Sequence, residues 1–438
     1  MNETKEMYDL IGVGVGPFNL SLAALLDEQT EVDALFFEQK QQFDWHPGML
    51  IEGTRLQVPF LADLVTMADP KSPYSFLNYI NENERMYQFY FLQRLEIPRR
   101  EYNDYCQWVS NQLASCVFGH RVTNLRYIED NEPYFEVEVL DIASEETKGF
   151  RTKHLVLGSG SVPAMPKSFQ GLPEEDVFHT ADFLKHQERC RQSEAISVIG
   201  SGQSAAETFR ELLKEQQDHG YRLNWITRSG FASMEESKLS LEHFSPDYVN
   251  YFYQLPQHKK DEIFTDQDLF YKGISNHTVT DIYNLLYEHS IGQDRVDAGL
   301  QVLTEVKNIE SKSNAPGYTI TCQHKQTGET FEMQSDVVIT ATGYRPYVPD
   351  FIHQLGSFVE WDEEGRYKVE PDYRLVKTAE TPSEIYVHSG ISHTHGVGST
   401  NLGLAVHRNK VIINHLMNRD VYKIPDQNIF QQFDAPNT

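Results

Sequence analysis

The sequence predicts an α/β protein with two Rossmann-like dinucleotide-binding domains, the second inserted into the first. Two strand, glycine-turn and helix units carry this reading, one opening at Tyr8 and one at Ala195. Two apolar strands ending in small residues, His154–Gly160 and Asp336–Arg345, mark the places where the insert leaves and returns.

Tyr8-Asp9-Leu10-Ile11 leads into Gly12-Val13-Gly14-Val15-Gly16-Pro17 and then an apolar helix through Leu26. Pro17 stands where the simple G-x-G-x-x-G pattern wants its final glycine, so the value of the motif lies in its placement after a strand and before Glu38. The next strand, Ala34–Phe37, ends at Glu38, an acid placed to receive two hydroxyls of an adenosine ribose.

The second unit repeats the event. Ala195–Ile199 runs into Gly200-Ser201-Gly202-Gln203-Ser204-Ala205, a G-x-G-x-x-A turn. Its following strand, Leu223–Thr227, ends at Arg228 instead of an acid. A guanidinium fork there suits a ribose bearing a 2′-phosphate, which favours NADPH over NADH. The expected division is an FAD-binding domain over residues 1–167, an NADPH-binding domain with substrate segments over 168–331, and the rest of the FAD domain with a C-terminal extension over 332–438.

Apolar spacing predicts helices over Pro73–Ile80, Glu101–Val109 and Val279–Tyr287. The polar stretch Gln254–Gln267 reads as a mobile connection, and the Asn/Gln-rich tail after Pro425 as loosely held.

Bulk properties narrow the function. With 64 acidic residues against 38 Lys plus Arg, the formal charge of -26 repels nucleic acid and anionic membrane, so neither is an expected partner. No apolar run approaches the roughly 20 residues needed to cross a bilayer, and Met1–Met7 is no signal segment, which predicts a cytoplasmic protein. Four cysteines without a close pair offer neither a disulfide scaffold nor a redox dithiol. His393 and His395 lack third and fourth ligands, so no metal site is expected.

Two nucleotide domains in one chain point to hydride transfer from NADPH to a bound flavin. Without a dithiol to receive the electrons, the natural outlet is O2, through a C4a-hydroperoxyflavin that passes an oxygen atom to a nucleophile; such chemistry requires exclusion of water.

The chain resembles the siderophore-type N-hydroxylating monooxygenases that act on lysine, ornithine and diamines. The resemblance spans nearly the whole sequence: Gly12–Ser21, Phe43-Asp44-Trp45-His46-Pro47-Gly48-Met49, Gln57 before Phe60–Thr66, Pro73–Tyr79, Gly200–Ala205, Ala341-Thr342-Gly343-Tyr344 and His395-Gly396. It implies that Trp45, His46, Met49 and Gln57 surround the isoalloxazine, with Thr342, Gly343 and Tyr344 also at cofactor. It also implies that the helix start at Asn401 and Leu402 directs peptide N–H groups to the flavin N1/C2 carbonyl. Asn276, in Gly273-Ile274-Ser275-Asn276-His277-Thr278, becomes the retained substrate residue, and Gln57 and Asn276 the groups closest to the chemistry. Family members often form tetramers, which implies a homotetramer.

Three departures bear on the substrate. The amino-acid hydroxylases carry a carboxylate-binding lysine in a Phe-x-Lys-Asp-Leu phrase, where this chain has Ala62. An asparagine of the ornithine enzymes is replaced by Leu241 in Ser240-Leu241-Glu242-His243-Phe244, and the continuation after His395-Gly396 is closer to the diamine-hydroxylating branch. A buried carboxylate without its cation is costly, whereas a diamine has none, so putrescine or cadaverine is expected over L-ornithine or L-lysine, which remain the alternative. Glu242 and Asp69 are the candidates for holding the distal ammonium.

Overall fold

The computed structural model describes residues 7–292, 296–313 and 315–435. The first sheet contains β1 (Tyr8–Val13), β2 (Ala34–Glu38), β3 (Cys116–Phe118), β4 (His120–Ile128), β5 (Tyr134–Asp141) and β6 (Thr147–Leu157). They lie in the order β3-β2-β1-β6-β5-β4. The pairs from β3 to β6 are parallel, whereas β6–β5 and β5–β4 are antiparallel. Residue types follow this division. The last four residues of β1 are all buried, as a strand covered on both faces requires, while β5 alternates buried and half-buried positions.

The chain leaves through β7 (Ser161–Pro163) for a second, wholly parallel sheet. That sheet contains β8 (Val177–His179), β9 (Ala195–Ile199), β10 (Arg222–Ile226) and β11 (Ala298–Gln301). An antiparallel meander follows, β12 (Thr304–Ser311), β13 (Tyr318–His324) and β14 (Thr330–Ser335). Next, β15 (Val337–Thr340) enters the second sheet between β9 and β8. The chain returns through β16 (Tyr344–Pro346), which pairs antiparallel with β7, and β17 (Ile385–Val387) then joins the end of β6. The expected boundary at 331/332 is therefore corrected: β15 still belongs to the inserted unit, and the return begins beyond it, at β16.

The helix Pro17–Asp27 is buried continuously from Asn19 to Leu26 because it lies between the first sheet and the helix Leu402–Leu416. Asn409 of the latter donates to Phe18 O and Ser21 Oγ. Each fully buried leucine in this layer contributes about 1.5–3 kcal/mol. The helices expected from spacing form at Phe76–Glu82, Arg99–Ser110 and Asn276–Ser290. Two segments are more ordered than their composition suggested. Gln257–Asp266 is a helix, anchored by Lys260 over the Tyr253 ring, and the tail is held by Asn428 on Asp247 and by Gln431 on Glu242.

Four largely buried imidazoles in separate parts of the fold impose a pH limit. Burial holds His46, His154 and His407 down to about 4, and His395 to about 3. The unfolded chain binds these protons near the ordinary histidine value of about 6.5, so the folded state lags in proton uptake as pH falls. Their contribution is present above about pH 6.5 and is lost progressively as pH falls towards 4. A series of urea unfolding midpoints across that window is expected to fall on acidification. A flat series between pH 6.5 and 4 would contradict the assignment.

Candidate active site

The first glycine turn is built by close approaches. A β-carbon on Gly12 would lie 2.1 Å from Cδ1 of Phe36, its partner across β2, and one on Gly14 would lie 2.7 Å from Gly158 O. Gly14 has φ +84°, and its carbonyl, with that of Val13, accepts from the buried Asn19 amide. Gly16 differs: a β-carbon there would meet no protein atom within 4 Å, and its residue caps a helix whose first position is Pro17. The turn thus offers an open, positively polarised cradle for a diphosphate. Glu38 closes its far side, accepting from Val15 N at 2.9 Å and Lys40 N at 3.0 Å. His388, fully buried and 5.9 Å from the Phe18 ring, has no partner for either ring nitrogen. An open glycine cradle, a terminal acid and unsatisfied buried nitrogens fit an adenine dinucleotide such as FAD.

The segment carrying Trp45 and His46 closes against the inserted unit. His46, in the left-handed region at φ 51°, packs edge-on to Trp45 at 4.9 Å and to Tyr344 at 5.5 Å. Tyr344 in turn meets His179 at 5.0 Å, and burial pushes its hydroxyl up to about 12. Thr342 donates to Ala164 O at 2.7 Å, while Gly343 (φ +82°) faces open space. Gly48 is obligatory for a tertiary reason, since a β-carbon would lie 1.9 Å from Ala181 O. Met49 departs from its expected flavin-facing role: its side chain is 2% exposed and belongs to the second unit's core, near Thr208 Oγ. Any cofactor contact at this position falls to its backbone.

The second glycine turn is held as tightly. A β-carbon on Gly200 would lie 2.3 Å from Ala341 O, and Gly202 caps the helix opened by Gln203 and Ser204. Gln203 reaches across to accept from Ser275 N at 2.9 Å and donates to Thr278 Oγ at 3.0 Å. It thereby ties this turn to the start of the helix bearing Asn276. Arg228, two residues beyond β10, is exposed, and its charge together with Lys325 is felt by Glu305; among the described residues it makes no ion pair. This fits a 2′-phosphate site.

Gln57 and Asn276 meet one short segment of the inserted unit. Gln57 Nε2 lies 3.5 Å from Met234 Sδ, and Asn276 Nδ2 donates to Glu236 at 2.8 Å. The segment is pinned there by the Ser233–Ile274 bridge and by Gly273, whose absent side chain lets Met234 Cα approach. Ala62 is 6% exposed and abuts Gly403 in the first turn of the helix Leu402–Leu416. Asn401 caps that helix by accepting from Gly403 N and Leu404 N. The turn Ser240–Phe244, with Leu241 42% exposed, approaches the same region through His243 O and Gly398.

The two acids considered for the distal ammonium differ in their protein partners. Glu242 accepts from Phe430 N, Gln431 N and Gln431 Nε2, so it anchors the tail. Asp69 accepts from Lys71 N in its own turn, and its charge is felt at Tyr422. His393 bonds to Tyr367 O, while His395 packs on Tyr253 and Tyr373. Among the described residues no three His, Cys, Asp or Glu side chains group to hold a metal.

Motif reading missed Arg99 and Glu207. Their bidentate pair, 2.9 Å on both arms, joins the helix Arg99–Ser110 to the helix Gln203–His219. No local signal marks partners 108 residues apart.

Residues 6–346 match the family model described as L-lysine 6-monooxygenase/L-ornithine 5-monooxygenase. The chain belongs to this family. A putrescine N-hydroxylase of Shewanella oneidensis is 38% identical over 432 residues, covering 98% of this chain and 84% of that protein. Among solved structures, the FAD-bound cadaverine monooxygenase DfoA of Erwinia amylovora superposes with a TM-score of 0.94 at 35% identity, covering 99% of this chain and 100% of that one. The Kutzneria sp. 744 ornithine N-hydroxylase, solved with reduced FAD, NADP+ and L-ornithine, gives 0.86 at 29% identity over 94% of this chain and 99% of that one. The chain is therefore a family monooxygenase with two dinucleotide-binding units.

Proposed function

We propose that this monooxygenase uses FAD, NADPH and O2 to N-hydroxylate one terminal amine of putrescine or cadaverine for hydroxamate siderophore assembly. Ala62 carries the substrate reading: a buried methyl group stands beside the Leu402 helix start, where a substrate carboxylate would need a cation. The similarity to a putrescine N-hydroxylase and to a cadaverine monooxygenase supports the same reading.

Reduced FAD, when bound, supplies the means of activating O2. The protein must present a neutral amine, although a free alkylamine with a pKa near 10.4 is mostly protonated at neutral pH. Asn276 is suited to that task. Its Nδ2 is committed to Glu236, which leaves Oδ1 to accept an amine N–H and aim the nitrogen lone pair. Gln57, against Met234 in the same short segment, supplies a second amide. Trp45 and Tyr344 wall the proposed flavin region and exclude water.

Cellular placement and assembly complete the proposal. All four cysteines are free, and no helix among the described residues is long and apolar enough to cross a membrane, which supports work in the cytoplasm. The helix Met86–Leu92 buries no residue and exposes Tyr87, Tyr90 and Phe91, an apolar face suited to the contacts of a homotetramer.

The test is parallel measurement of hydroxylamine product and NADPH consumption with putrescine, cadaverine, L-ornithine and L-lysine. Coupled product is expected with a diamine. Preference for an amino acid overturns the substrate assignment, and NADPH oxidation without hydroxylamine from any of the four overturns the reaction.

A further inference from the structure

The helix Leu402–Leu416 carries a buried cation that the proposed reaction has not used. Arg408 is 1% exposed, yet no carboxylate pairs with it among the described residues. Nη1 donates to His388 O at 2.5 Å and Nη2 to Ser399 O at 2.7 Å. The guanidinium lies 5.2 Å from the Phe18 ring centroid and 5.1 Å from that of Tyr373, and Nε has no partner. Neutral acceptors and aromatic faces are weak compensation for a desolvated charge. The nearby imidazoles of His388 and His395 add none, because burial and this same cation keep them neutral.

The three segments that Arg408 joins are informative. Phe18 follows the Gly16 cradle, His388 follows β17 at the end of the first sheet, and Ser399 precedes Asn401 at the helix start. All three border the proposed FAD site. A flavin gains negative charge at N1 when reduced, so a fixed buried cation behind this border favours the reduced form.

We propose that Arg408 is a positioning residue for FAD, fixing the 388 and 399 carbonyls against Phe18 and biasing the bound flavin towards its reduced state. This rests on the FAD reading above. A lysine ammonium keeps the charge but is a compact point donor on a flexible stem, without the rigid planar fork that spans the 388 and 399 carbonyls. The two contributions therefore separate in variants.

The experiment compares full-length parent, Arg408→Lys, Arg408→Met and Arg408→Gln, measuring FAD dissociation constants and two-electron midpoint potentials. Both uncharged variants are expected to bind FAD at least tenfold more weakly. Their reduced-over-oxidised preference should fall about tenfold, a drop of about 30 mV. Arg408→Lys should weaken FAD binding while holding its potential nearer the parent's. Parental potential in an uncharged variant overturns the proposal, as does parental FAD affinity in all three. Should Arg408→Met not fold, the Lys and Gln variants decide by the same criteria. A parent that binds no FAD instead overturns the cofactor reading, so the two failures are distinguishable.

Discussion

Glu207→Ala is expected to destabilise the protein by about 3–5 kcal/mol, the cost of leaving a buried cation without its partner. Glu207 is 1% exposed and accepts both arms of Arg99, which is itself largely buried. The carboxylate also accepts from Gln203, whose amide holds Ser275 and Thr278 at the start of the Asn276 helix. One substitution should therefore loosen the contact between the nucleotide units and the support of Asn276 together. Urea unfolding gives the first effect, and the dependence of hydroxylamine yield on amine concentration gives the second. The double variant Arg99→Met/Glu207→Leu should recover most of the stability, because it removes the buried charges together. A Glu207→Ala protein with the parent's unfolding midpoint would show that water reaches Arg99 and that the pair contributes little.

That pair marks the boundary of what the sequence makes legible. The glycine turns were readable because the requirement is local: a strand must turn into a helix at Gly12–Gly16 and Gly200–Gly202, with no room for a side chain at Gly12, Gly14 or Gly200. Glu38 and Arg228 were readable because one ends the following strand and the other stands two residues beyond it. Ala62 could be singled out because one residue type was missing from a recognisable phrase. By contrast, Gly48 looks like an ordinary Pro-Gly turn until Ala181 O is brought against it. Met49 shares a motif with His46, but the short turn Pro47–Met49 rotates its side chain into the second core. Glu242 seemed available for an ammonium because its partners lie 188 and 189 residues away, in a polar tail with no apolar periodicity. The strand β15 resembles the end of β6 in composition, an apolar run closing on small residues, and only pairing with β8 and β9 assigns it to the insert. Local stereochemistry is written in neighbouring residues, whereas the choice of a distant partner is not.

Ala62→Lys tests the substrate argument at its narrowest point. The methyl group lies against Gly403, so the new side chain must thread past the helix start and bring its ammonium into the region proposed for the amine. Two like charges about 6 Å apart at an effective dielectric constant near 20 repel by about 3 kcal/mol, or roughly a hundredfold in kcat/KM. Diamine kcat/KM is expected to fall by that order, while FAD content and amine-independent NADPH oxidation stay near the parent's. L-Ornithine or L-lysine should gain relative to the diamines, since the new cation can meet their carboxylate. Ala62→Met separates charge from bulk: it occupies similar volume without an ammonium and should reduce diamine use less. If Ala62→Lys and Ala62→Met reduce it equally, sterics account for the loss, and Ala62 is not where charge selects the substrate. Improved diamine turnover in Ala62→Lys, without gain on either amino acid, would place the distal end of the substrate elsewhere.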